Sequence, residues 1–381
     1  MAFNMYPPSG TQTTTQIKVP FNGHLNPNEV YKSLYNMIIS QDVRYPELAD
    51  NYGFVEMFRT DGTLMGDTKL FYASDILKSR PWLGDNEAQN LLQTERAPDP
   101  KVQAIVLNEF RIIKTTTDQY LSKRGWSTLD AFSSFNSLLR ALVGETKKIY
   151  EIMLINTYIG TTEGEANKSM QELPLSELIP EAITGEERNR LEAQYIAQKV
   201  ADLFVAMKDF SRDFNDYKFM RAYRESELMI IWNGAYVNKI NKLDLPTIFN
   251  NNGLMDKFAQ HILPDRYFGE VITAIDGTFT GTVTEGQEIR SLVEEDYTSG
   301  HLFPGEMLAV GDTYEANKVY VVDADIICKI VTKDTFKYMS AFTTATEFYN
   351  PQALLSNNML IWGYAHPDRL LDQPLVTLHA D

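Results

Sequence analysis

Little in this chain is equipped for chemistry. It has one cysteine, Cys328, among 381 residues, which excludes an internal disulfide framework and fits synthesis in a reducing cytoplasm. The five histidines, His24, His261, His301, His366 and His379, are scattered without ligand spacing, so surface or capping roles come before metal binding. No glycine-rich phosphate cradle, G-x-S-x-G elbow or H-E-x-x-H pair occurs. Basic charge is scarce as well. The 35 Lys and Arg stand against 51 Asp and Glu, a balance of −16, and such a chain has no general electrostatic grip on nucleic acid. No apolar run approaches ~18–20 residues, so no membrane-spanning helix is expected. The polar start MAFNMYPPSGTQTTTQ reads as a flexible arm, neither signal peptide nor anchor. No catalytic residue, cofactor or metal ion is expected.

The remaining chemical candidates each have a plain alternative. Asp323 and Asp325 could hold a cation with oxygen ligands or simply end a strand. With Asp265 they are the carboxylates from which an α+β hydrolase or transferase site would have to be assembled. Glu294-Glu295-Asp296 reads as a solvated acidic tip, and Lys123-Arg124 before Trp126 is too small for a nucleic-acid site. Asn167-Lys168-Ser169 matches a glycosylation triplet that cytoplasmic synthesis leaves unused. Cys328 lies in an apolar run and reads as a buried small hydrophobe.

What the chain does have is apolar content, 44% with 12% aromatic, enough for a large packed core, and helical and strand patterns in the same chain, from which an α+β fold is expected. Its strongest pattern runs from Ser127 to Gly160. Phe132, Phe135, Leu138, Leu139, Leu142, Val143, Ile149, Ile152, Met153 and Ile159 recur three and four apart, which predicts one amphipathic helix over about 128–160. Phe132, Phe135, Leu139, Leu142, Ile149 and Met153 are its expected core face. Ser127 supplies a cap, Gly160 a stop, and Gly144 a place to bend. A rod of ~45–50 Å needs something long to lie on, so a helix across a sheet is preferred to a coiled coil.

Before it, a strand at Phe54–Thr60 and a long strand at Val102–Thr117 are expected to pair as the stem of a giant hairpin. The excursion between them carries Leu64, Met65, Leu70, Phe71, Tyr72, Ile76, Leu77, Trp82, Leu83, Leu91 and Leu92 but no sustained period. A surface loop of that length and grease either packs on its own domain or reaches for another chain. Earlier, Ile17–Phe21 predicts an edge strand and Asn28–Gln41 a helix. Later segments predict a helix at Gly185–Phe210, a strand at Glu227–Trp232 followed by a helix from Gly234, and a short helix opened by Asp244 and Pro246. Extended segments follow at Lys318–Val322, Ile326–Thr332, Phe336–Phe348, Asn358–Ala365 and Leu375–Leu378.

Taken in this order, the parts resemble the major capsid protein of tailed bacteriophages, the Hong Kong 97-type shell fold, and most nearly that of small short-tailed phages. Arg111–Thr117, Gln119-Tyr120-Leu121 and the Ser127–Gly160 helix resemble that family's strand-to-spine passage. Glu227–Trp232, Tyr236–Ile240 and Leu243–Phe249 resemble its axial domain, and Lys333–Thr346, Asn350-Pro351 and Met359–Ala365 its closing peripheral strands. The resemblance implies an N-terminal arm over 1–53 and an extended loop over 54–117. It implies a peripheral domain from 118–185 with 331–374, and an axial domain from 186–330 with 375–381 and an insertion at about 277–314. It also implies a shell subunit that assembles into hexamers and pentamers around double-stranded DNA. Portal and scaffolding proteins would be its partners, and Leu70, Phe71, Tyr72, Ile76, Leu77 and Trp82 would touch a neighbouring subunit. The alternatives are another virion part, such as a tail protein, and the carboxylate enzyme above.

Overall fold

The computed structural model describes residues 4–5, 17–18, 52–62, 68–79, 81, 96–107, 109–118, 129–241, 259–273, 279–285, 289–290, 303–311, 313–316, 318–322 and 325–380. The helix expected over Asn28–Gln41, the one opened by Asp244 and Pro246, the side chains of Phe132, Phe135 and Leu139, and Trp82 lie outside what is described. The chain divides into two compact units. One holds residues 1–48, 113–145 and 345–360, the other residues 49–112, 146–344 and 361–381.

In the first unit, Asn4–Met5 pairs antiparallel with Ile17–Lys18. The hairpin that turns at Asn350-Pro351 is tied by Ser356 Oγ to Glu347 Oε1 at 2.5 Å, and Thr116 Oγ1 donates to Asn357 Oδ1 at 2.7 Å. Phe348, Tyr349 and Leu354 stand exposed at its tip.

The second unit is built on a five-stranded sheet. Its order is Met170–Leu173, Leu375–Ala380, Ile326–Thr332, Leu228–Asn233, Ala259–Leu263. The central pairs are antiparallel and the outer ones parallel. Every residue of Ile326–Thr332 and of Leu228–Asn233 is buried, as expected of strands covered on both faces. On one face Cys328 and Ile330 pack with Ile196, Val200, Phe204 and Met207 of the helix Glu186–Lys208. Cys328 is fully enclosed, and burial pushes its thiol far up from its ordinary range. Lys329 alternates to the other face, where its Nζ donates to the carbonyls of Gly160 at 2.8 Å and Thr162 at 2.7 Å. A cation at the end of a helix satisfies carbonyls that have no intrahelical partner and complements the dipole.

Those carbonyls close one helix, Leu129–Thr161, 33 residues long. It runs through Gly144 unbroken, and a methyl there would meet nothing within 4 Å. Gly144→Ala should therefore raise stability by ~0.5–1 kcal/mol, read as a higher urea midpoint, because alanine costs the helix less backbone entropy. The buried side chains of its last half are Tyr150, Glu151, Leu154, Ile155, Asn156, Thr157 and Ile159. Leu142 is 38% exposed, and Ile149 and Met153 are half-buried. The buried face is thus turned one to two residues from the expected one. It includes polar groups that an apolar count ignores: Glu151 Oε1 accepts from Tyr338 and Ser340, each at 3.2 Å, and the Tyr150 and Tyr364 hydroxyls lie 2.9 Å apart.

The strands that carry those partners belong to a second sheet, ordered Asp368–Arg369, Phe336–Asn350, Leu355–Tyr364, Glu109–Asp118, with Arg59–Asp61 parallel to Phe336–Asn350. Here the expected hairpin stem is corrected. Residues Tyr52–Glu56 form a helix, and Arg59–Asp61 pairs with Tyr338–Ser340. Phe54 and Phe58 are four apart, which places both rings on one side, 5.3 Å between centroids. The expected strand Val102–Thr117 is two, Lys101–Val106 and Glu109–Asp118. The hairpin is real but shorter, with Lys101–Val106 pairing Thr68–Ala73. Within the expected insertion, Phe279–Thr282 pairs antiparallel with Thr313–Ala316, as Gly269–Thr273 does with Lys318–Val322.

Candidate assembly interface

The hairpin's register sorts its side chains. Partners Thr68 and Val106, Leu70 and Ala104, Tyr72 and Val102 share one face, while Lys69 and Ile105, Phe71 and Gln103 share the other. The second face turns inward. Ile105 and Leu107 are buried with Met339, Ala341 and Ala365, and Phe71 packs against that cluster. Gln103 Nε2 donates to the Arg369 carbonyl at 2.6 Å and to Asp368 Oδ2 at 3.0 Å, and its Oε1 accepts the Leu371 amide at 3.2 Å.

The first face turns outward. Leu70, Tyr72, Val102 and Val106, with Ile76 and Leu77 beyond the strand end, are 45–70% exposed. Six large apolar side chains on one hairpin and its continuation, each worth ~1.5–3 kcal/mol when fully buried, do not favour water. Of the contact residues expected from the sequence, Leu70, Tyr72, Ile76 and Leu77 are outward and Phe71 is not. The correction follows from the pleat: in the run Leu70-Phe71-Tyr72 the middle residue must face opposite to its neighbours. Val102 and Val106 were missed because their outward side is fixed only by pairing with Tyr72 and Thr68.

Behind the hairpin the packing is aromatic. The Arg111 guanidinium lies 4.9 Å from the Tyr150 ring centroid, and the Tyr150 ring is 5.8 Å from that of Trp362. Burial first, and then the neighbouring Tyr364, push the Tyr150 hydroxyl far above its ordinary range. Burial likewise pushes Tyr223 up to about 12. These phenols stay neutral donors at any biological pH. Glu163 is held below the usual carboxylate range, chiefly by its hydrogen bond with His379. No group of three His, Cys, Asp or Glu among the described residues is placed to hold a metal ion, and none of the described helices is long and apolar enough to cross a membrane.

The model of the Phi29-like phage major capsid protein family matches residues 12–363. Among solved structures, a chain of the capsid of Staphylococcus phage Andhra is similar at a TM-score of 0.59 and 12% identity, over 90% of this chain and 87% of that one. A chain from the structure of native bacteriophage P68, described for its head fibre and inner core protein, is similar at a TM-score of 0.57 and 12% identity, over 89% and 87%. At those identities the likeness is one of fold, a mixed α+β phage capsid architecture. A search of curated proteins found no match.

Proposed function

Because the chain belongs to the Phi29-like phage major capsid protein family, we propose that its copies close into hexamers and pentamers around packaged double-stranded DNA, gripping one another through the outward face of the hairpin. The protein is a structural subunit of a phage capsid and a component of the virion. The observation that supports the proposed grip is the row Leu70, Tyr72, Val102 and Val106, apolar and exposed on a hairpin whose other face is fixed to its own subunit. The net charge of −16 suits a container, since a lining that held DNA tightly would hinder packing and release. In this reading the subunit is made in the host cytoplasm, meets portal and scaffolding proteins, and follows the plan of small short-tailed phages. Its parts are the arm, extended loop, peripheral domain and axial domain. The tail-protein and enzyme readings have less support. Of the carboxylates the enzyme reading needs, Asp265 accepts the neighbouring Arg266 amide at 2.8 Å, an ordinary turn contact.

Substitution to aspartate separates the two faces. Tyr72→Asp and Leu77→Asp should leave unfolding of the subunit within ~0.5 kcal/mol of the parent, while closed shells disappear from negative-stain images. Phe71→Asp should instead cost ~1–3 kcal/mol, by removing a ring that packs on the inner cluster and setting a charge against it. Normal yields of shells from Tyr72→Asp combined with Leu77→Asp would remove the outward face from the grip.

A further inference from the structure

The hairpin strand Thr68–Ala73 does not run straight on into solvent. Its next two residues sit on the turn formed by residues 211–221. Asp75 Oδ2 accepts from Arg212 Nη1 at 2.5 Å, Asp75 Oδ1 accepts the Met220 amide at 3.0 Å, and the Ser74 carbonyl accepts from Arg221 Nη2 at 3.0 Å. Asp75 Oδ1 also takes the Ile76 amide at 2.9 Å, which turns the chain after it. The receiving turn is braced by its own bonds. Ser211 and Arg221 exchange two backbone hydrogen bonds, both 3.0 Å, and Asn215 spans the amide and carbonyl of Phe219, each at 2.8 Å. A second bond from Arg212 Nη1, to the Lys218 carbonyl at 2.7 Å, sets the guanidinium in place. The Asp75 side chain is 16% exposed, whereas Ile76, Leu77, Lys78 and Ser79 are all exposed.

We propose that Asp75 is a latch: it holds the strap Ile76–Ser79 on the subunit's own 211–221 turn, so that Ile76 and Leu77 are presented at a fixed place before a second copy of the chain arrives. Two features argue for a latch over an incidental contact. The receptor is organised by bonds that do not involve the hairpin, so docking orders few additional groups. And one carboxylate collects a guanidinium and two amides, a charge-assisted set stronger than its neutral counterpart. The Met220 amide, and after it Arg212, hold the Asp75 carboxyl below the usual range, consistent with a group that stays charged while docked. The joint is short-range and ionic, so salt should loosen it. The strap's use in assembly rests on the shell reading above; the latch itself does not.

Hydrogen exchange on the full-length protein tests it. In Asp75→Ala and in Arg212→Gln, the amides of residues 74–79 and of Met220 should exchange about tenfold faster, the effect of losing roughly one such set of bonds. Trypsin should cut after Lys78 correspondingly faster. Exchange in the sheet Leu228–Asn233 and Ile326–Thr332 should be unchanged. The Arg212 variant is the sharper of the two, because it lies 137 residues from Asp75 in the chain. Unchanged exchange at 74–79 in Arg212→Gln overturns the latch. Equal acceleration throughout the sheet overturns it too, since the pair would then be part of the general fold. Local acceleration in the two variants, together with a parent protein that never forms shells, keeps the latch and loses the shell reading.

Discussion

Gly160→Ala will leave little folded protein. A methyl at Gly160 would run into the carbonyl oxygen of Tyr267, stand 2.5 Å from its carbon and 3.2 Å from the amide nitrogen of Phe268. Those are backbone atoms, and the residues that carry them are 3% and 0% exposed, so neither side can step aside without dragging buried rings. The cost should exceed ~3 kcal/mol, at the severe end for overpacking, against a total stability of ~5–15 kcal/mol for typical domains. The measurement is urea unfolding followed by far-UV circular dichroism, with Gly144→Ala from the same helix as the control that should move the other way. A Gly160→Ala midpoint equal to the parent's would mean that the helix does not end against residues 265–268.

Lys329→Ala is the second large effect. The ammonium is fully buried and spends two hydrogen bonds at the C-terminal end of the helix Leu129–Thr161, on the carbonyls of Gly160 and of Thr162 just after it. Alanine removes both bonds and leaves a hole where three methylenes and the ammonium were, for an expected loss of ~3–5 kcal/mol. Lys329→Met keeps the volume but loses the cap and the positive charge that favours the Glu163 carboxylate, so it should cost less, ~1–3 kcal/mol. The order matters more than the values. Equal unfolding midpoints for Ala and Met would show that polarity alone decides the site, and parent-like midpoints for both would show that the cap contributes nothing.

These two sites also show where the sequence was readable. The helix Leu129–Thr161 announces itself because its apolar residues repeat over many turns. Its buried face was harder to read, since Tyr150 and Glu151 are buried through hydrogen bonds, and Leu142, which fits the apolar pattern, is exposed. Ile326–Thr332 reads as a buried strand from its composition, but the lysine inside it looks like an exception until the helix end is placed opposite. The stem of the hairpin is not legible because Phe54 belongs to a helix of only five residues, too short for a period to show, and Phe58 lies in the turn just after it. Alternation inside Leu70-Phe71-Tyr72 is hidden by three apolar letters in a row and emerges only from pairing with residues 102–104. The Asp75 and Arg212 contact bridges 137 positions, and no local pattern can encode such a distance.

The enclosure of Cys328 has a practical corollary. The chain's one thiol is sealed between a sheet and a helix and kept protonated there, and a thiol in that state does not react with maleimides or disulfide reagents. The native subunit is therefore blank to thiol chemistry without any cysteine having to be removed. A cysteine placed at the exposed Tyr349 would be the single addressable position per copy, turning the number of dye or cargo molecules on an assembled particle into a direct count of its subunits.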